Sequence, residues 1–182
     1  MGLRKAAAYT HKHVVPFTRT SSKKGKAYIK TVPPQAIVKF SMGSRGDFEA
    51  GKLPFVLTMV AEEHAQIRHN ALEAARQYIN KQLDTDLPGQ YYFRVIPYPH
   101  HIQRENKMLT GAGADRMQTG MQLSFGKSVG KAAIVKPNDP IFMIASQTEK
   151  ASQTVREIFR IVKPKLPCRT KILTEIKKPL IP

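Results

Sequence analysis

The chain has 182 residues, 41% of them apolar, and thirty Lys and Arg against thirteen Asp and Glu, for a net charge of +17. A single cysteine, Cys168, excludes an internal disulfide and a thiolate zinc cluster, and no run of eighteen apolar residues offers a membrane-spanning helix. The length supports one core with extensions rather than two independent cores, and the cysteine content fits a reducing compartment.

The first forty-six residues hold ten Lys or Arg and no acid. Like charges without neutralisation keep a segment extended, and Lys and Arg that meet phosphates release condensed counterions, so such an arm favours a nucleic-acid partner. Gly25 and Pro33-Pro34 interrupt the arm, and it shows no amphipathic stripe suited to a bilayer. Ala6-Ala7-Ala8 is too short for a signal-peptide core, and Ala6 stands where a myristoylation signal wants Ser or Thr, so a soluble, cytoplasmic protein is expected. Positive charge is segregated further along: six acids to four bases in 47–84, three to seven in 85–136, three to three in 137–162, and one to six in 163–182. The excess therefore sits at both ends and in 85–136, the footprint of polyanion binding.

Ala36–Phe40 and Phe55–Val60 read as strands, joined by a Gly-rich polar connection. From Ala61 the apolar period changes: Ala61, Ala65, Leu72, Ala75, Ile79 and Leu83 recur at helical spacing, Glu62 and Glu63 fall in what would be the first turn, and Pro88-Gly89 closes the segment. Tyr91–Ile96 is another strand, ended by Pro97 and Pro99. Residues 107–131 carry five of the eleven glycines, at 111, 113, 120, 126 and 130, interleaved with cations, which argues for a loop whose backbone approaches a partner closely. Ala132–Val135 and Ile141–Ala145 flank Pro137-Asn138-Asp139-Pro140 and suggest a hairpin. Ser146 and Glu149 have capping-box spacing ahead of a helix with an apolar stripe at Val155, Ile158, Phe159 and Val162, ended by Pro164. Lys171–Thr174 is a last strand before a basic tail. These elements predict an α+β fold, with one mixed or antiparallel sheet and two amphipathic helices. The organisation is a basic N-terminal arm over 1–34, one domain over 35–175 with a contacting loop at 102–118, and a tail over 176–182.

Catalytic and metal motifs fail on inspection. Gly126-Lys127-Ser128 lacks a phosphate-loop glycine at the required distance and is followed by Val129-Gly130-Lys131, a poor helix start. Gly111-Ala112-Gly113 opens a dinucleotide fingerprint that Arg116 breaks. Gly43-Ser44-Arg45-Gly46 has the pattern of an RNA-clamping loop but strand-like flanks. The histidine pairs 11/13 and 100/101 have no acid or cysteine to complete a metal site, and Asp115 beside Arg116 reads as an ion-pair partner rather than a general base. No cofactor is implied.

The run Asn106–Met121, continuing to Phe125-Gly126-Lys127, resembles the signature of a ribosomal protein family, the large-subunit protein L-ten-e of archaea and eukaryotes, counterpart of bacterial L-sixteen. Met1-Gly2-Leu3-Arg4, Val95-Ile96-Pro97 leading to Arg104, and Lys163–Pro167 support the resemblance, which is closest to an archaeal form. Lys5-Ala6-Ala7-Ala8, Ser128-Val129 and Cys168 depart from the usual pattern. The resemblance implies a hammerhead-type α+β domain packed on large-subunit ribosomal RNA, close to the small ribosomal RNA of that subunit. It further implies that loop 102–118 points toward the peptidyl transferase region and the aminoacyl-site tRNA, with neighbouring ribosomal proteins alongside, one copy per ribosome, no membrane and no catalytic role. Expected RNA contacts are Arg4, Lys5, Arg19, Lys23, Lys24, Lys26 and Lys30 in the arm, and Arg104, Lys107, Gly111, Gly113, Arg116, Lys127 and Lys131 around the loop. The competing readings are an RNA-modifying or nucleotide-using enzyme centred on Asp115 and Gly126, and a peripheral membrane protein using the basic arm.

Overall fold

Apolar runs of β-branched and aromatic residues become strands where two neighbours can cover both faces, and a computed structural model of the chain, which describes residues 10–11, 31–105 and 127–176, shows where that happens. In chain order the elements are β1 (Ser41–Gly43), α1 (Arg45–Glu49), β2 (Phe55–Ala61), β3 (Ala65–Arg68), α2 (His69–Asp86), β4 (Tyr91–Val95), β5 (His101–Glu105), β6 (Lys127–Val135), β7 (Pro140–Ser146), α3 (Glu149–Val162), a 3₁₀ turn (Lys163–Lys165) and β8 (Thr170–Ile176). The strands form a five-stranded sheet in the order β1-β4-β7-β2-β8 and a three-stranded sheet in the order β3-β6-β5, every pair antiparallel. The fold is α+β, with two sheets where the sequence suggested one.

The apolar stripes of α2 (Leu72, Ala75, Ile79, Leu83) and α3 (Val155, Ile158, Phe159, Val162) bury themselves with Leu57, Met59, Phe93, Phe142 and Ile144 from one face of the larger sheet. Each of the larger side chains among them contributes about 1.5–3 kcal/mol on leaving water, so this layer fixes where every other element stands. Alternation along the strands sends Val56, Tyr92 and Ala145 to the opposite face, where Phe48 of α1 stacks on Tyr92 at 4.9 Å between centroids. At Gly43 (φ +82°) a Cβ would lie 2.3 Å from the Tyr91 carbonyl oxygen, so the step from β1 to α1 requires glycine. The Tyr91 hydroxyl donates to the Asp84 carboxylate and ties β4 to the end of α2.

Several sequence expectations are corrected here. Ala36–Phe40 is not a strand: the Ala36 N–H is given to His69 Nδ1 at 3.2 Å, Val38 is 78% exposed, and pairing begins only where Phe40 O accepts from Val95 N at 2.8 Å. The helix begins at His69 rather than Ala61. Ala65, Gln66 and Ile67 are all buried and pair with Val135, Ile134 and Ala133, so the four-residue spacing of small residues belongs to a strand, and α2 has no acid in its first turn. Residues 137–140 do not close a hairpin. They carry the chain from the small sheet to the large one, with Asn138 at φ +69° and its N–H bonded to Ala61 O at 2.7 Å. The N-cap of α3 is Thr148, whose hydroxyl accepts from Ala151 N at 3.2 Å, whereas Ser146 ends β7 with its hydroxyl buried. The short helix α1 was not anticipated.

Candidate nucleic-acid interface

Strands β5 and β6 pair from His101↔Ala132 through Ile102↔Lys131 and Gln103↔Gly130 to Glu105↔Lys127, with a register shift after Gln103. Residues 106–126 therefore leave and re-enter the fold at adjacent positions of one antiparallel pair. The sequence expected a loop over 102–118, and the structure takes 102–105 into β5. Likewise Lys127–Lys131, read as part of a glycine-rich loop, begins β6. Three of the expected contacts meet on this pair: Arg104 on β5, and Lys127 and Lys131 on β6. Arg4, Lys5, Arg19, Lys23, Lys24, Lys26, Lys30, Lys107, Gly111, Gly113 and Arg116 lie outside the described residues. So do Asp115 and Gly126 of the competing enzyme reading, although the strand that starts at Lys127 is not the helix a phosphate loop requires.

One face of the small sheet joins the core through Ala65, Ile67, Ala133 and Val135, and the other carries polar groups. There Arg68 Nε donates to Gln103 Oε1 at 3.0 Å, and Gln103 Nε2 donates to Gln66 Oε1 at 3.1 Å, a bond that is fully buried. The relay fixes the Arg68 guanidinium on the β3 rim, so its charge is presented rather than averaged over rotamers. Beside it a pocket of about 230 Å³ is lined by Thr10, Gln66, Arg68, Lys165 and the Pro164–Pro167 turn. Thr10 is buried against this wall, and His11 Nδ1 lies 3.5 Å from His64 O, so the arm meets the domain here. On the other flank Ser128 Oγ donates to Thr31 O at 2.8 Å.

Cations predominate here, at Arg68, Arg104, Lys127 and Lys131, with Glu105 opposite Lys127 in the β5–β6 register. Elsewhere Arg45 pairs with Glu49 at 2.7 Å, Lys52 with Asp47 at 3.0 Å, and Arg76 with Glu73 at 2.6 Å. The field is felt by the histidines. Burial and the charges of Arg68 and Lys131 hold His69 below its ordinary pKa, and burial and Arg104 do the same to His101. Burial also lowers Arg104 itself. His69 Nδ1 accepts the Ala36 N–H, which places the imidazole proton on Nε2 and keeps the ring neutral. Arg68 and His69 were missed from sequence because only the β3–β6 pairing brings them beside Lys131. Their one sequence signal is Arg68 interrupting an otherwise apolar period.

Among the described residues no group of three His, Cys, Asp or Glu could hold a metal ion, and no helix is long and apolar enough to cross a membrane. Cys168 packs against the core, where burial and nearby Glu63 push its thiol up to about 11, an unreactive environment.

Residues 16–173 match the family model of ribosomal protein L16p/L10e. The chain is 41% identical over 181 residues to the large ribosomal subunit protein uL16 of Staphylothermus marinus, covering 98% of this chain and 97% of that protein. It is 43% identical over 159 residues to the protein of that name from Hyperthermus butylicus (86% and 82% covered), and 41% over 177 residues to that of Thermofilum pendens (96% and 98%).

Proposed function

Because the chain belongs to the ribosomal protein L16p/L10e family, whose members are structural proteins of the large ribosomal subunit and not enzymes, we propose that it grips ribosomal RNA with three cationic extensions carried by the α+β domain at 35–175. The extensions are the arm over 1–34, the segment returned between β5 and β6, and the tail over 176–182. The domain fixes their geometry, and the cations supply affinity through phosphate contacts. The observation that carries this reading is the meeting of Arg104, Lys127 and Lys131, with Arg68 and the arm residue Thr10 nearby, at the base of the glycine-rich 106–126 segment.

On this reading the segment reaches toward the peptidyl transferase region and the aminoacyl-site tRNA, and the domain packs near the small ribosomal RNA and neighbouring proteins of the large subunit. Four glycines among cations suit a finger that orders against RNA rather than against its own chain. The protein supports translation and subunit maturation from within the ribosome. The test is co-sedimentation: the cellular protein should travel with the large subunit in stoichiometric amount and be stripped by high salt. Abundant protein that never sediments with ribosomes would refute the proposal. The enzyme alternative has no supporting geometry among the described residues, since Lys127 and Ser128 begin a strand.

A further inference from the structure

A second cationic surface lies between α3 and β8, in residues to which the sequence reading gave no RNA contact. The amphipathic pattern of α3 sends Val155, Ile158, Phe159 and Val162 to the core, and this leaves Arg156, Arg160 and Lys163 stacked on one flank at intervals of four and three residues. That flank faces β8, the edge strand of the large sheet, and together they form a groove of about 410 Å³ lined by Arg156, Arg160, Lys163, Ile172 and Thr174. No acid lines it. The acids near by lie off the groove: Glu157 is on the neighbouring flank of α3, and Glu175 alternates to the other face of β8.

Helix-end electrostatics do not account for the whole cluster. A cation in the last turn is favoured by the helix dipole, which covers Arg160 and Lys163, but the effect fades within one turn and Arg156 lies beyond it. Arg156 is instead aimed along the groove floor, its Nη2 donating to Thr174 Oγ1 at 3.1 Å. None of the three cations forms an ion pair with a carboxylate among the described residues, unlike Arg45, Lys52 and Arg76.

We infer that the groove between α3 and β8 is a second RNA-backbone site, in which Arg156, Arg160 and Lys163 hold consecutive phosphates of one strand while the Thr174 hydroxyl donates to a phosphate or ribose oxygen. At the rise of an α-helix the three cations span about 10 Å, long enough to reach past the roughly 7 Å axial advance between the first and third of three phosphates on one strand. The guanidiniums match phosphate oxygens in fork geometry, and the Thr174 hydroxyl, which accepts from Arg156, keeps its own proton to give. Ile172 closes the floor without competing polar groups. RNA would then hold the domain at two places, the β5–β6 base and the α3–β8 groove. This inference rests on the RNA-binding reading proposed above.

The experiment is equilibrium binding of the full chain to a large-subunit ribosomal RNA fragment over a salt series, with wild type beside the variant Arg156→Gln/Arg160→Gln/Lys163→Gln. Arg156 and Arg160 lie on the exposed flank of α3 and Lys163 just past its end, and the thermal unfolding midpoint and circular dichroism of the variant establish that it is folded. If three phosphates are released, the slope of log K against log salt falls by about two to three units, and binding at 100 mM salt weakens at least tenfold. The conservative Arg156→Lys/Arg160→Lys variant should retain most of the slope. An unchanged slope in the folded triple variant overturns the inference and leaves the RNA-binding reading standing, whereas failure of the wild type to bind RNA at all would sink the broader reading first. Loss of an acidic ribosomal-protein contact with the RNA slope intact would assign the groove to a protein and also overturn the inference.

Discussion

Gly130 of β6 lies directly against the ring of His69 at the start of α2: a Cβ built on Gly130 would stand 3.2 Å from His69 Nε2. The ring cannot simply step aside, because it is buried and holds the Ala36 N–H through Nδ1 at 3.2 Å. Gly130→Ala should therefore destabilise the protein by about 1 kcal/mol, and Gly130→Val by up to about 3 kcal/mol, despite the usual entropic gain of replacing a strand glycine. Chemical denaturation of Gly130→Ala in the wild-type and His69→Ala backgrounds checks this. The loss should largely vanish in the second background, and equal losses in both would deny the contact.

The same ring gives a pH dependence. His69 is held below its ordinary value of 6.5 by burial first and then by Arg68 and Lys131, so the unfolded chain binds a proton that the fold refuses. Its contribution to stability is fully present above pH 6.5 and is lost as pH falls through the lowered native value. Replacement by Gln, which can still accept the Ala36 N–H, should flatten the decline in unfolding free energy between pH 7 and pH 5. A decline of the same slope in His69→Gln would show that other groups carry it.

At the entrance to α3 the hydroxyls of Ser146 and Thr148, two residues apart, have opposite roles. Thr148 caps Ala151 N, and Thr148→Ala should cost about 1 kcal/mol. Ser146 Oγ is buried and makes no hydrogen bond among the described residues, so Ser146→Ala should be neutral or slightly stabilising. Thermal unfolding of the two single variants separates them, and a larger loss at Ser146 would restore the capping box expected from sequence.

Phe142 of β7 is completely buried and meets Phe93 at 5.9 Å between ring centroids, in the layer shared with α2 and α3. Phe142→Ala should cost about 3–5 kcal/mol, enough to unfold much of a marginally stable population. Val38→Ala, at 78% exposed, should change stability by less than about 0.5 kcal/mol. Comparable losses in urea titrations of the two variants would misplace the core.

Much of this fold is written in local pattern. β2, β4, β7, β8 and the stripe of α3 emerge at or near their sequence boundaries because their side chains alternate or recur with an unambiguous period. The failures share a cause in tertiary pairing. Ala61 and Ala65 are small enough to imitate a helical stripe, and only the partnership of β3 with β6 shows Ala65–Ile67 to be a strand. The turn at 137–140 is chemically a turn, yet nothing in it says that its two strands belong to different sheets. Of the proposed interface, Arg104, Lys127 and Lys131 could be singled out in sequence because cations flank the glycine-rich segment, and the structure places them on one strand pair. Arg68 could not be singled out, because only its bond to Gln103, itself held by Gln66, brings it beside them.

The central claim is that concentrated positive charge grips folded RNA. Its most direct test is the affinity of the full chain for large-subunit ribosomal RNA measured from 50 to 200 mM salt. With six to ten phosphate contacts the affinity should fall by about three to five decades over that range. An affinity that stays level across it would contradict the account.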